Sequence, residues 1–365
     1  MNKSWSPRER VLAAIEHRQP DRVPAGYAGS NITIERKLKE HFGLKPDDTD
    51  GLLDALGIDT RFILGMQSLP YNGHQLHLQI DGKTVDPFWG FVTRWVENDA
   101  GGYWDYCDFL LKDANLEMVQ QWPMPSPEDF DYSGIKRLCE KYNQYCIVYG
   151  HPGTADCINS AGMVRTMENV LIDMALENEI TLTYMRRKTA TELAVMERVL
   201  DAADGRIDVV WIGEDLGTQI APTISIEMYR KLLKPLHQRF IDLAASYNAK
   251  VMIHCCGSSS WVFDEWHKMG VSIVDTLQPE AKDMSPAYIK TKFGDKLCFH
   301  GCISTAGPLA YGSVEDIDRY SRDTIEIMKP GGGYIFAPTH MLQDNTPVAN
   351  VIAAYEACRK YGSYS

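Results

Sequence analysis

Short, nearly continuous apolar runs recur along the chain, each closed by polar or turn-forming residues. They read DRVPAGYAG (21–29), DTRFIL (59–64), QYCIVYG (144–150), DVVWIGED (208–215), KVMIHCC (250–256), VSIVDTL (271–277), KLCFHGC (296–302) and GYIFAP (333–338). Apolar runs without two-residue alternation are strands buried on both faces, which implies a parallel sheet. From the third run onward, segments of helical periodicity lie between them, such as SIEMYRKLLKPLHQRFIDLAASYN (225–248) and SVEDIDRYSRDTIEIMK (313–329). Eight such runs favour a single (β/α)8 TIM barrel over an open doubly wound sheet. An N-terminal helix precedes the barrel. Ser6 is its cap, Pro7 its first residue, and Glu9 stands three residues after the cap.

One region breaks the alternation. Residues 64–144 contain HQLHLQIDGKTVDPFWGFVTRWVEND, where Asp81-Gly82 is a hairpin turn signal. This predicts an antiparallel excursion and a helix inserted after the second barrel strand, lying over the barrel mouth. The aromatic cluster DPFWGFVTRW packs the hairpin onto the barrel, or serves as a lid over a flat macrocycle. Met163, Met167 and Met174 fall near helical spacing and read as core filling. Gly331-Gly332-Gly333 precedes a strand, so it reads as a helix stop and not as a phosphate-binding loop. Nothing marks a linker, and residues 1–365 read as one domain.

Composition narrows the function. The 365 residues are 44% hydrophobic and carry a net charge of -12, with no basic footprint for nucleic acid or anionic lipid. No run approaches the roughly 18 apolar residues of a membrane span. The opening MNKSWSPRERVLAAIEHRQPDRVP lacks an apolar export core, so a cytoplasmic location is expected. There the nine cysteines are core residues, metal ligands or reactive thiols rather than disulfides.

Candidate chemistry gathers where strands end, the face on which barrel enzymes build their sites. His254 and Cys256 close the fifth run two residues apart, so they share a face while Cys255 takes the other. That pair can bind one Zn2+, or it can be packing. Other strand ends carry Glu214 and Asp215, His151, Gln278 and Glu280, His300 and Cys302, and His340. Polar residues at so many ends of one barrel point to a site. A catalytic zinc needs three protein ligands and an open position; His254 and Cys256 supply two, and His340 or Cys302 the third. Asp215 and Glu214 are candidates to position an acceptor or take a proton, with His151, Gln278 and His300 lining the substrate pocket. A G-x-S-x-G elbow is absent, which leaves a serine hydrolase unsupported.

The segments SPRERVLAAIEHRQPDRVP, GEDLGTQIAPTISIEMYRKLLKPLHQRFID, HCCGSS, LQPEAKDMSPAYIKTKFGDKLCFHGCIS and GGGYIFAPTHMLQDNTPVANVIAAYEA resemble the uroporphyrinogen decarboxylase superfamily over nearly the whole chain. The resemblance implies a (β/α)8 barrel and one of two chemistries. Its decarboxylases use no cofactor and carry an arginine-rich loop after the first strand; here that place reads PAGYAGSN, without arginine. Its other branch comprises cobalamin-dependent methyltransferases with a zinc motif H-x-C…C, which His254 and Cys256 match. The third ligand there is a Cys in an APGC-like context. Here the place reads APTH, which puts His340 in that position, with Cys302 the second choice.

The resemblance therefore implies a zinc-dependent methyltransferase acting between a corrinoid, free cobalamin or a corrinoid protein, and a small acceptor such as tetrahydrofolate or a thiol. A metal-free decarboxylase and a non-catalytic corrinoid-protein-binding barrel are the competing readings. Barrels of this size often pair, so a homodimer is the expected oligomer.

Overall fold

The computed structural model describes residues 5–364. Its centre is a curled sheet of seven parallel strands in the order β1 (Thr60–Ile63), β5 (Cys146–Gly150), β6 (Val209–Gly213), β7 (Lys250–Cys255), β8 (Ile273–Thr276), β9 (Cys298–Ile303) and β10 (Tyr334–Pro338). A separate antiparallel sheet holds β2 (Thr84–Val85), β3 (Val92–Asn98) and β4 (Gly101–Tyr106).

The first apolar run forms no named strand. It still joins the two edges of the curled sheet. Phe336 N–H donates to Pro24 O and Gly26 N–H to Phe336 O on the β10 side, while Asp59 N–H donates to Ala25 O beside β1. Pro24 has no N–H to give, which limits this segment to isolated bridges. A curled parallel sheet closed in this way is consistent with a TIM-like barrel.

Alternation along the strands sorts side chains into two cores. Cys146, Val148, Val209, Trp211, Met252, Ile273, Cys298 and Ile335 point inward and meet Val11, Ala14 and Ile15 of the first helix, Pro7–Ile15. That helix begins with a complete capping box between Ser6 and Glu9 and has Pro7 at its start, as its sequence predicts. The intervening residues, such as Ile147, Val210, Ile253, Val274, Phe299 and Phe336, pack under the outer helices. The parallel register sets Gly213, His254, Asp275 and His300 side by side across β6, β7, β8 and β9.

The inserted region differs from expectation in where its hairpin turns. Asp81-Gly82 makes a turn before β2, but the hairpin proper reverses between Asn98 and Gly101. There the Asn98 side chain accepts from the N–H groups of Ala100 and Gly101. Phe88 and Trp89 are buried in the main core, whereas Trp95 and Trp104 stack edge-to-face on the exposed part of the ribbon. Of the three methionines read as core, Met174 is buried, Met163 lines a cavity and Met167 is exposed. Gly331, Gly332 and Gly333 all have positive φ and form the turn between the helix Val314–Met328 and β10. No helix among the described residues is long and apolar enough to cross a membrane.

Candidate metal centre

At the C-terminal end of the parallel strands, three donor atoms converge. His254 Nε2, Cys256 Sγ and an Asp215 carboxylate oxygen all lie within 4.8 Å of one another. His254 ends the inward-facing row of β7, just above Met252. Cys256 follows β7, and Gly257 after it holds φ +73 with its backbone packed on Gly217 O, where a Cβ would stand 2.3 Å away. Only glycine fits both constraints, so the chain turns sharply after Cys256. Asp215 lies two residues beyond β6. Its Oδ1 accepts the Cys256 N–H at 2.7 Å and its Oδ2 accepts Asn159 Nδ2–H at 2.9 Å, which fixes the carboxylate beside the thiol.

The separations suit a small divalent ion. His254 Nε2 and Cys256 Sγ are 3.4 Å apart, and His254 Nε2 and Asp215 Oδ1 3.9 Å. Tetrahedral zinc with nitrogen and sulfur ligands at its usual bond lengths holds those two atoms about 3.5 Å apart. The other imidazole nitrogen is committed. His254 Nδ1 is 2.7 Å from Asp275 Oδ2 and 2.7 Å from the Thr276 hydroxyl, which itself donates to Asp275. Asp275 is fully buried; burial works against its charge, but the two histidines overcome it and hold the carboxyl far below the usual range. It has no proton to give, so Nδ1 carries a hydrogen and Nε2 is the nitrogen that faces Cys256. Burial disfavours a charged His254, yet the Asp275 hydrogen bond and the Cys256 contact raise its pKa well above the ordinary value. A metal therefore competes with a proton at Nε2.

Of the three donors, His254 lines a cavity of 1560 Å³, together with Tyr27, Phe62, Trp89, Tyr106, His151, Asp156, Lys188, Trp211 and His340. This exceeds the roughly 300–1,000 Å³ of ordinary small-molecule pockets.

The family model for uroporphyrinogen decarboxylase (URO-D) matches residues 120–361, which hold β5 to β10 and all three converging donors. The chain belongs to the URO-D family. Among solved structures it is similar to a methyltransferase from Methanosarcina mazei, with a TM-score of 0.63 at 18% identity over 98% of this chain and 99% of that one. At that identity the likeness concerns the fold. No curated protein matches the chain significantly.

The remaining residues singled out from the sequence fall into different places around this URO-D-family site. His340 is exposed on the rim, its ring centroid 6.4 Å from that of His254. It stands outside the converging trio. Partial enclosure lowers its pKa, and the neighbouring His254 adds to the effect, so the ring is neutral. Cys302 is buried in the outer core. Gly301 and Cys302 have φ of +134 and +71, which breaks the strand alternation and turns Cys302 away from the interior row. Cys255 is likewise buried in the outer core, where its sulfur accepts the Leu216 N–H at 3.2 Å.

His151 lines the cavity; burial, reinforced by Lys188, lowers its pKa to about 4. Its Nδ1 accepts the Gly153 N–H at 3.0 Å, so Nε2 is the donor. Gln278 accepts the Gly257 N–H at 3.2 Å and pairs with Gln219, tying two loops together. Glu280 accepts from the Ser304 hydroxyl. His300 is buried and donates from Nδ1 to Asp275 Oδ1 at 2.6 Å. Glu214 is sealed inside: its two oxygens accept the N–H groups of Cys157 and Ile158 at 3.0 Å each, at the start of the helix Ile158–Arg165. With Cys157 and His237 it makes a second group of three donor atoms within 4.8 Å, all buried.

Asp275, Thr276 and Asn159 also hold the site together, and no motif in the sequence marks them. The signal for Asp275 is an acidic residue inside the apolar run SIVDTL. A carboxylate there has to be paired, but its partners follow only from the register.

Proposed function

We propose that this chain is a methyltransferase that moves a methyl group between a corrinoid, free or protein-borne, and a small acceptor, using one Zn2+ held by His254, Cys256 and Asp215. The observation that carries this reading is the convergence of nitrogen, sulfur and oxygen donors beside a large cavity, with the His254 Nδ1 side already locked by Asp275. The donor set fits zinc and leaves a fourth position open. His340 takes the rim position beside that opening rather than the role of ligand. When bound, zinc would lower the pKa of a coordinated thiol or water and hold it for attack.

The chain's own residues do the rest. Asn159 and the Cys256 N–H fix the Asp215 carboxylate. His151 presents an N–H to the cavity. His340, neutral at the rim, is the base that takes the acceptor's proton. A corrinoid held in the cavity would supply the methyl group, which the deprotonated acceptor would take while the cobalt–carbon bonding pair stayed with the corrinoid.

A metal-free decarboxylase of the uroporphyrinogen type is the less supported reading. Binding several carboxylates requires free cationic forks. Arg61 is the one arginine among the described cavity-lining residues, and its two terminal nitrogens already donate to Ile58 O, Thr60 O and Asp54, with Nε facing Asp50 at 3.6 Å. Lys188 is saturated, donating to Gly153 O, Asp156 O and Glu192.

The test is the visible spectrum of methylcobalamin mixed with the zinc-loaded protein and a panel of thiol and pterin acceptors. Enzyme-dependent loss of the methylcobalamin bands with one acceptor is the expected result. Formation of coproporphyrinogen from uroporphyrinogen, undiminished in a Cys256→Ala protein, would return the chain to the decarboxylase branch.

A further inference from the structure

The row across β7, β8 and β9 holds more than a ligand. His254, Asp275 and His300 are direct lateral partners in the parallel register, so their side chains leave the sheet on the same face, one strand spacing apart. Asp275 is 0% exposed and each of its oxygens meets one histidine: Oδ2 accepts from His254 Nδ1 at 2.7 Å, and from the Thr276 hydroxyl at 3.2 Å, while Oδ1 accepts from His300 Nδ1 at 2.6 Å. His300 is fixed from its far side as well. A Cβ placed on Gly26 would stand 2.2 Å from His300 Nε2, so the ring is pressed under the backbone of the segment that joins the sheet edges. That segment is held in turn by the Tyr355 hydroxyl, which donates to Gly26 O at 3.0 Å.

We infer that Asp275 and His300 are positioning residues for the metal centre: the shared carboxylate, locked by His300 under Gly26, holds the His254 ring with Nε2 aimed at Cys256 and Asp215. This rests on the proposed zinc site and deepens it, because it assigns the rigidity of the ligand His254 to a buried pair behind it, Asp275 and His300, that touches neither substrate nor metal. A carboxylate behind a ligating imidazole fixes its tautomer and orientation, and losing it typically costs about 10–100-fold in metal affinity. Asp275 here has a second duty, since it needs His300 to keep its own orientation. The row also accounts for Gly26: any side chain there would drive His300 off Asp275.

The experiment measures zinc affinity by competition with a chromophoric chelator, together with the visible spectrum of the Co2+-substituted protein. The proteins compared are wild type, Asp275→Asn, His300→Leu and His300→Asn, each checked for folding by circular dichroism. Asp275→Asn accepts from only one histidine, and a loss of about 10–100-fold in affinity with shifted ligand-field bands is expected. His300→Leu removes the outer anchor and is expected to weaken binding by about tenfold. His300→Asn keeps a donor near the Nδ1 position and is expected to restore most of that loss.

A merely structural role would lower thermal stability while leaving the Co2+ bands and the affinity of the folded protein unchanged; that result overturns the inference and leaves the zinc site standing. Equal effects of His300→Leu and His300→Asn also overturn it. A folded wild-type protein that takes up neither Zn2+ nor Co2+ overturns the site itself, and the inference with it.

Discussion

Two groups of three donors stand on neighbouring parts of this protein, built from almost the same side chains. Asp215, His254 and Cys256 form one; Glu214, His237 and Cys157 form the other. Both offer a carboxylate, an imidazole and a thiol within one ion's reach. They differ in what surrounds them. In the first, the histidine is held from behind by Asp275 and lines the cavity, while Cys256 and Asp215 are only partly buried. In the second, both carboxylate oxygens are used as acceptors for a helix start, Cys157 donates to Ala155 O at 3.4 Å, and every member is buried. Ligand types alone do not make a metal site. An aimed lone pair, a fixed tautomer and a route in do.

Removing one member of each group separates the two. His254→Ala or Cys256→Ala is expected to abolish corrinoid-linked methyl transfer, measured as loss of methylcobalamin absorbance. Cys157→Ala is expected to leave the rate within about twofold, since surface or core changes remote from the chemistry act on stability instead. Equal inactivation by both would mean that the sealed group also carries function.

The next effect belongs to the sealed group. Glu214→Ala leaves two helix-start N–H groups without an acceptor and opens a void beside His237. A stability loss of about 2–4 kcal/mol by urea denaturation is expected. A loss below about 1 kcal/mol would show that Glu214 does not anchor that helix.

The pH dependence of the sealed pair tests its electrostatics. Burial pushes Glu214 up to about 7 and His237 down to about 4. A raised carboxyl contributes stability at low pH that is lost as pH rises through about 7; a lowered histidine contributes stability at neutral pH that is lost as pH falls through about 4. Where the two windows overlap the opposing slopes cancel, because the pair holds one proton folded or unfolded. In Glu214→Gln only the histidine remains. Stability should then rise by up to about 3 kcal/mol between about pH 4 and pH 6.5, seen in urea midpoints across that range. A flat profile in the variant would contradict the burial-driven shift of His237.

The smallest effect concerns Cys255. Its side chain is in the core, so Cys255→Ala should cost about 1 kcal/mol and leave zinc content unchanged. Zinc loss in that variant would reverse the facing of β7.

Much of the frame was legible in the sequence, because apolar runs and helical periodicity report burial directly. Seven of the eight expected strands are there; the first is bridges only, because Pro24 withholds a donor. Strand alternation at the end of β7 separated His254 and Cys256 from Cys255. The same rule misleads at Cys302, where two consecutive positive-φ residues rotate the side chain out of the row. It says nothing about His340 and Asp215, which lie on loops with no fixed period. Asp275 stayed hidden for a different reason: its importance comes from lying between two histidines on adjacent strands, and lateral register is not written in any one strand.

On the proposed reading, His254, Cys256 and Asp215 hold one metal ion while the sealed trio holds none. Elemental analysis of the purified, zinc-equilibrated protein tests it most directly, alongside Cys256→Ala and Cys157→Ala. The expected result is about one zinc per chain in wild type and in Cys157→Ala, and none in Cys256→Ala, as follows from losing one of three protein ligands of an open zinc site. Zinc retained in Cys256→Ala and lost in Cys157→Ala would move the site to the buried trio and contradict the claim.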